Sequence, residues 1–208
     1  MTRKLPLICL AGAAVLALAS FAVPAATQWT AANERRNASP ATWEQLERTR
    51  WIADGRADAP RKVYVFLDAN CKYCTKFWSD ARPWVNAGKV QLRHVMVGVI
   101  APSSAGRAAT LLADPDPAKR LAAFEQAHAF GVVRMMAGGP HQSLEDPSLA
   151  PLDPVPEALA RTLADHEDLM HGFGLMGTPG IVFHAPDGRV VARPGVATED
   201  LPLVLGPL

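Results

Sequence analysis

Apolar and polar positions follow two different periods in the middle of the chain. Residues 62–68 form an apolar, β-rich run that ends at a polar turn, which predicts a buried strand. Apolar residues then recur at helical spacing from Cys74 to Val85, and we expect Pro83 to kink or end that helix. A second apolar run over residues 90–100 predicts another strand. This part of the chain therefore predicts a strand–helix–strand unit.

The pattern before this unit predicts two segments. Residues 1–25 have a basic start, an uncharged apolar stretch and small residues near Ala25, as cleaved secretory signals do. An uncleaved membrane anchor is the alternative, although Ala, Gly and Pro dilute the apolar stretch. After a polar tail, Ser39-Pro40 predicts a helix start, and the apolar pair Trp51-Ile52 extends that helix to a point near Gly55.

The pattern after the unit is mostly helical. Residues 103–172 predict a helical section, within which residues 131–156 are rich in Gly, Pro and Met and predict a loop. A β-hairpin follows, with its turn at residues 186–188. Residues 198–205 predict a short closing helix.

Composition and charge exclude some classes of protein. Apolar residues make up 49% and charged residues 20% of the chain, as in folded soluble proteins. The formal net charge is +1 with no basic run, which argues against a nucleic-acid partner. A cleaved signal would place the protein outside the cytoplasm. The two cysteines beyond the signal would then meet an oxidising compartment.

Those two cysteines, Cys71 and Cys74, form a Cys-x-x-Cys motif at the predicted junction of strand and helix. In the first helical turn, Cys71 would face unpaired N–H groups that favour its thiolate and make it the attacking sulfur. Cys74, one turn further on, would resolve a mixed disulfide by attacking Cys71. Lys72 would stabilise the thiolate further if its ammonium stays near the sulfur.

Two other uses of the cysteines remain open. A static disulfide would close a very small loop and contribute little stability. A soft metal such as Cu(I) would need further ligands beside the two thiolates. The candidates for those ligands are Met135, Met136, His141, Met170, His171 and Met176.

The neighbouring residues allow simpler expectations. Asp68, three residues before Cys71, is expected to form a turn rather than to transfer protons. Phe77 and Trp78 are expected in the core, and His94 is expected to face outward from its strand.

The sequence resembles the periplasmic DsbC/DsbG family of thiol:disulfide interchange proteins, and the DsbG branch most of all. The resemblance extends over about residues 41–205 and includes flanks that redox chemistry does not require. Its strongest parts are VYVFLDANCKYCTKFW, GTPGIVF and, upstream, ATWEQLERTRWIADG. It implies an α/β, thioredoxin-like fold with an inserted helical section over about 103–172, preceded by a short linker-like helix.

The resemblance divides the chain into three parts and implies roles for single residues. The parts are a signal peptide (1–25), an N-terminal tail with the linker-like helix (26–60) and a thioredoxin-like domain (61–208). Cys71 corresponds to the nucleophile and Cys74 to the resolving thiol. Thr178 and a cis Pro179 would bind the substrate chain next to the cysteines. The Lys72-Tyr73 dipeptide would tune the reduction potential of the pair. Lys72 stands where DsbG has proline, so the reduction potential of the family is not transferred.

The resemblance also implies partners. Proteins with cysteines or disulfides are the expected substrates, a DsbD-type membrane protein is the expected electron donor, and the periplasm is the expected location. No metal or other cofactor is expected besides the redox-active Cys71–Cys74 disulfide. The segment before the linker-like helix is too short for the dimerisation domain of the family, so a monomer is expected. We expect a reductase or isomerase. The alternatives are a monomeric DsbA-like oxidase and a non-enzymatic Cu(I) carrier.

Overall fold

A five-stranded mixed sheet lies at the centre of the protein. The structure is a computed structural model that describes residues 40–208, so the predicted signal peptide and most of the tail lie outside the described residues. The sheet has the strand order β1-β3-β2-β4-β5; β2 and β3 are parallel and the other pairs are antiparallel. The strands are β1 (Ile52–Asp54), β2 (Arg61–Leu67), β3 (Val90–Met96), β4 (Gly180–His184) and β5 (Val190–Pro194).

Six α-helices surround this sheet in the described part of the chain, and three of them form an insertion between β3 and β4. The helices are α1 (Pro40–Arg48), α2 (Lys72–Asn86), α3 (Ser104–Ala113), α4 (Pro117–Met136), α5 (Glu157–Gly172) and α6 (Leu201–Leu205). The α/β class and the inserted helical section are therefore confirmed. Within residues 40–208, no helix is long and apolar enough to span a membrane.

The predicted strand–helix–strand unit is present as β2, α2 and β3. Residues from Val63 to Leu67 are all fully buried, because both faces of β2 are covered. Val63 and Val65 pack with α2 and α6, whereas Tyr64 and Phe66 pack with α1 and α5 on the other face. The helix continues through Pro83 to Asn86, so Pro83 does not end it.

The prediction that the first helix reaches Gly55 is wrong. It ends at Arg48, and the apolar pair at its expected end begins an edge strand. Ile52 pairs with His94 of β3 and is 2% exposed, so it enters the core from the sheet. A strand of three residues is too short to show the alternation of apolar and polar residues from which a strand is predicted.

The predicted loop over residues 131–156 begins too early. α4 continues through Gly131 to Met136, and a 3₁₀ turn covers Pro147–Leu149. At Gly131 a later segment of the chain lies close to the helix. A Cβ atom at this position would lie 1.9 Å from Oε1 of Gln142, so the glutamine side chain would have to shift. The glycine therefore marks a close approach rather than a helix break.

Candidate active site

Cys71 is the N-cap residue of α2, at the end of the loop that follows β2. Its Sγ accepts a hydrogen bond from the backbone N–H of Cys74 at 3.1 Å. Its carbonyl accepts from Cys74 and Thr75, so the first turn of the helix closes around it. The Cys71 and Cys74 residues are 3% and 1% exposed, and both are free thiols. The first sulfur thus lies where an N-cap side chain satisfies helix N–H groups.

The two thiols ionise very differently. The thiol of Cys74, acting as a hydrogen-bond donor, is the main cause that lowers the pKa of Cys71, and it outweighs the effect of burial. Burial raises the pKa of Cys74 well above its usual value, and the neighbouring Cys71 raises it further. Ionisation is therefore favoured at Cys71 and disfavoured at Cys74.

Thr178 and Pro179 lie beside the cysteines, before β4. Their peptide bond is cis, as the resemblance implies. The buried Thr178 Oγ1 has no hydrogen-bond partner among residues 40–208, yet the hydroxyl lowers the pKa of both Cys71 and Cys74. It is thus a donor near the sulfurs that is free to turn toward a thiolate.

The two residues between the cysteines are more exposed than the cysteines themselves. Tyr73 is 69% exposed. The Nζ of Lys72 lies 2.7 Å from Nε2 of His141, so the ammonium is directed at the loop after α4. We call residues 137–149 the insertion loop.

An open groove of about 480 Å³ lies next to Tyr73, which stands between the two cysteines in the sequence. Its floor and walls come from α2, the end of α4, the loop before β4 and the segment after β5. The groove is lined by Tyr73, Lys76, Phe77, Asp80, Met136, Gly177, Thr178, Pro179, Pro194, Gly195, Val196, Ala197 and Thr198. It is lined by three of the residues that the resemblance indicates, namely Tyr73, Thr178 and Pro179.

Asp68 organises the loop that presents Cys71. One carboxylate oxygen accepts from the N–H of Asn70 and the hydroxyl of Ser104, both at 2.8 Å. The other accepts from the N–H groups of Val99 and Ile100 at 2.8 and 2.9 Å. Because all four acceptor positions are used, the carboxylate has the turn-forming role expected of it.

Sequence reasoning missed Arg107, a buried arginine of α3. Its Nη1 donates to Oδ1 of Asn70 at 2.6 Å, Nη2 donates to the carbonyl of Leu144, and Nε donates to the carbonyl of Leu149 at 3.2 Å. One guanidinium thus joins the residue before Cys71 to the insertion loop. No motif in the sequence indicates this contact, because its partners lie 37 or more positions away.

The expectation that His94 faces outward is wrong. His94 is 0% exposed, and its Nε2 lies 3.3 Å from Oδ2 of Asp54, which also binds Arg82. Burial alone would raise the pKa of Asp54, but the contacts with His94 and Arg82 outweigh it and hold that pKa well below its usual range. α4 contacts β1, so this end of β3 is covered and an outward position does not exist there.

Phe77 and Trp78 lie in the core, as expected.

The candidate copper ligands do not form one group. Met170 is 1% exposed and packs with Phe66 and Phe173 in a different apolar cluster from the one that contains the cysteines. Met136 lines the groove, and Met176 is 81% exposed.

Comparison with known proteins bears on these observations. The chain is 45% identical to the thiol:disulfide interchange protein DsbG of Pseudomonas aeruginosa over 166 residues, which are 79% of this chain and 59% of the relative. It is 36% identical to the Escherichia coli protein of the same name over 165 residues, 79% of this chain and 60% of that relative. The chain is DsbG-like. It spans about three fifths of the length of these relatives. No family model matches it.

Solved structures show the fold of this DsbG-like chain. A linker-deletion mutant of Proteus mirabilis ScsC superposes with a TM-score of 0.60 at 19% identity, covering 87% of this chain and 86% of that one. A periplasmic thioredoxin-like protein from Salmonella enterica serovar Typhimurium gives a TM-score of 0.57 at 19% identity, covering 80% and 95%. The thioredoxin-like fold with its helical insertion is therefore confirmed.

Proposed function

We propose that this protein carries out thiol–disulfide exchange on protein cysteines, with Cys71 as nucleophile and Cys74 as resolving thiol. The observation that supports this most is the contrast between the two thiols. Cys71 caps α2 and has a lowered pKa, whereas Cys74 is buried one turn further along with a raised pKa. A nucleophile must be ionised before it reacts, and a resolving thiol must not compete with it.

The exchange proceeds in two balanced steps. The Cys71 thiolate attacks one sulfur of a substrate disulfide, a mixed disulfide forms, and the other substrate sulfur leaves as a thiolate. Cys74 then gives its proton to the substrate thiolate released in the first step and attacks the Cys71 sulfur, which releases the second substrate thiolate. The substrate gains two electrons, and the Cys71–Cys74 disulfide that forms holds the oxidising equivalent. Run in reverse, the same steps oxidise a substrate dithiol, so no other cofactor is needed.

The groove supplies a place for the substrate chain. We propose that Thr178 and Pro179 hold an extended segment of the substrate against the Cys71 sulfur, with Tyr73 as part of the apolar wall. Tyr73, Thr178 and Pro179 all line the groove. Lys72 and Tyr73, between the cysteines, would set the redox poise of the pair.

The physiological direction is part of the proposal. Both curated relatives carry the DsbG name. We propose a periplasmic reductase or isomerase that is kept reduced by a DsbD-type membrane donor and secreted through the signal at residues 1–25. A monomeric oxidase of the DsbA type is the second candidate. The monomeric state and the division at residues 25 and 60 stay predictions.

The exchange mechanism predicts a trap. In the Cys74→Ser protein, Cys71 can attack but nothing can resolve the product, so mixed disulfides with substrate proteins accumulate in periplasmic extracts. Non-reducing gels followed by mass spectrometry detect them. The Cys71→Ser protein has no nucleophile and is the matched control. Absence of reducible adducts from the Cys74→Ser protein would contradict the exchange mechanism.

The reduction potential of the wild-type pair, measured by equilibration with glutathione, narrows the choice of direction. A value of about −120 mV fits an oxidase or an enzyme held reduced only by a dedicated donor, whereas about −270 mV points to a thioredoxin-like reductase. If no disulfide forms and Cu(I) binds stoichiometrically instead, the carrier alternative replaces the proposal.

A further inference from the structure

Lys72 makes a contact that its place in the sequence does not suggest. It is the first residue of α2 and stands directly after Cys71. A lysine at such a position is expected to favour the neighbouring thiolate. Instead, its Nζ lies 2.7 Å from Nε2 of His141, which is 69 positions away on the insertion loop. The Lys72 side chain is partly buried, and His141 is exposed.

The contact orients the Lys72 side chain. An ammonium group has three donors and no acceptor, so Nε2 of His141 serves as its acceptor here. A histidine partner holds the lysine in place without setting a carboxylate against it.

The loop that presents His141 is fixed to the active site. Leu144 is 5% exposed and packs in the same apolar cluster as Cys71 and Cys74. The Arg107 guanidinium donates both to the carbonyl of Leu144 and to the side chain of Asn70. His141 therefore keeps its position relative to the first turn of α2.

Neutral groups supply the main stabilisation of the Cys71 thiolate. The first cause of its lowered pKa is the Cys74 thiol, and the Thr178 hydroxyl and the Cys74 backbone N–H contribute as well. The nearby Asp68 carboxylate opposes them. A lysine ammonium near this sulfur would thus add the attraction of a positive charge to the hydrogen bonds that already stabilise the thiolate.

We propose that His141 is a positioning residue that holds the Lys72 ammonium on the insertion loop and away from the Cys71 sulfur. The inference deepens the proposed exchange function and rests on it. Once released, the Lys72 ammonium approaches the thiolate of the neighbouring Cys71. The Asp68 carboxylate does not compete for the ammonium, because it is buried and already accepts four hydrogen bonds. The reduced protein is then more stable, so the pair is a stronger oxidant.

The His141→Ala variant tests this directly. We expect its equilibrium with glutathione to shift toward the reduced protein by about threefold, the scale of a partly exposed charge contact. Its thiolate absorbance should develop at lower pH than in the wild type. His141→Gln keeps an acceptor for Lys72 and should remain near the wild-type values. An unchanged His141→Ala protein, or a shift toward the oxidised form, would overturn the inference.

Two controls separate positioning from a general disturbance of the loop. In a Lys72→Met background, His141→Ala should have no further effect on potential or thiolate titration; the same shift in both backgrounds would show that His141 acts independently of Lys72. His171→Ala changes an exposed histidine in the last turn of α5 and should leave both readouts unchanged. If the wild type forms no disulfide with glutathione, the proposed function fails. The thiolate titration still decides the role of His141, because it needs no exchange partner.

Discussion

At the scale of single residues, burial disfavours the ionised form of Glu125. It lies on α4, is 1% exposed, and its Oε2 has no hydrogen-bond partner among residues 40–208. Burial raises the pKa of Glu125 to about 7, although Thr75 and Arg82 oppose the shift. An ionised Glu125 is thus costly in the folded protein but not in the unfolded chain.

The Glu125→Gln variant should therefore change how stability depends on pH. The folded pKa of about 7 lies above the ordinary value of 4.5, so the wild type loses stability as pH rises between these values. The shift corresponds to about 3 kcal/mol above pH 7. Urea unfolding should show the variant more stable than the wild type at alkaline pH by up to that amount, and no such gain at acidic pH. Glu199→Gln, at an exposed glutamate, is the control. An equal effect at both pH values would contradict the assignment.

At the scale of elements, Asp68 joins the loops that follow the two parallel strands. Its carboxylate binds the loop after β2 through Asn70 and the segment after β3 through Val99, Ile100 and Ser104. The parallel strands end side by side, so one carboxylate can cap both loops. The position of Cys71 in the first of these loops depends on it.

Replacing Asp68 should therefore loosen both loops together. Asp68→Ala removes the acceptor of three partly buried N–H groups and of the buried Ser104 hydroxyl, and we expect a loss of about 2 kcal/mol in the free energy of unfolding. Asp68→Asn should lose less, because one amide oxygen still accepts. Urea titration measures both variants. If Asp68→Ala is as stable as the wild type, the carboxylate does not fasten the loops.

Local patterns predicted the elements whose partners are near in sequence. The β-rich run of β2 and the helical spacing of α2 indicated both elements, and the motif at their junction placed Cys71 at the helix N-terminus. β1 escaped prediction because three residues show no period, and the extra turn of α4 escaped because Gly131 resembles a break.

The rest of the site depends on contacts between distant residues. Arg107 reaches Asn70 across 37 positions, and Lys72 reaches His141 across 69. Neither contact can be predicted from the sequence, because a charged residue that lies on the solvated surface looks the same in the sequence as one that has a distant partner. Such partners become visible only when the inserted helices pack against α2.

At the scale of the whole molecule, the helical insertion is tied to the sheet at the active site. Arg107 and Leu144 connect α3, the insertion loop and the cluster around the cysteines. One buried guanidinium therefore contributes to the stability of the loop, together with the packing of Leu144.

Arg107→Met should free the insertion loop without unfolding the sheet. The variant keeps an apolar side chain but removes the donors to the carbonyls of Leu144 and Leu149. Hydrogen–deuterium exchange should then accelerate in residues 137–149 and stay unchanged in β2 and β3. Arg134→Met, at an exposed arginine of α4, is the control. Equal protection of the loop in the Arg107→Met protein and the wild type would show that other contacts hold it.

The two edges of the central sheet have a further consequence for the fate of the protein. β1 spans three residues, and β5 spans five and ends at Pro194, which has no N–H to offer. An exposed strand edge can pair with a strand of another chain and so promote aggregation, and a short edge offers few hydrogen-bonding groups for such pairing. Within residues 40–208, the longer strands β2 and β3 both lie inside the sheet. The sheet thus presents little free backbone on which an unpaired strand of another protein could assemble.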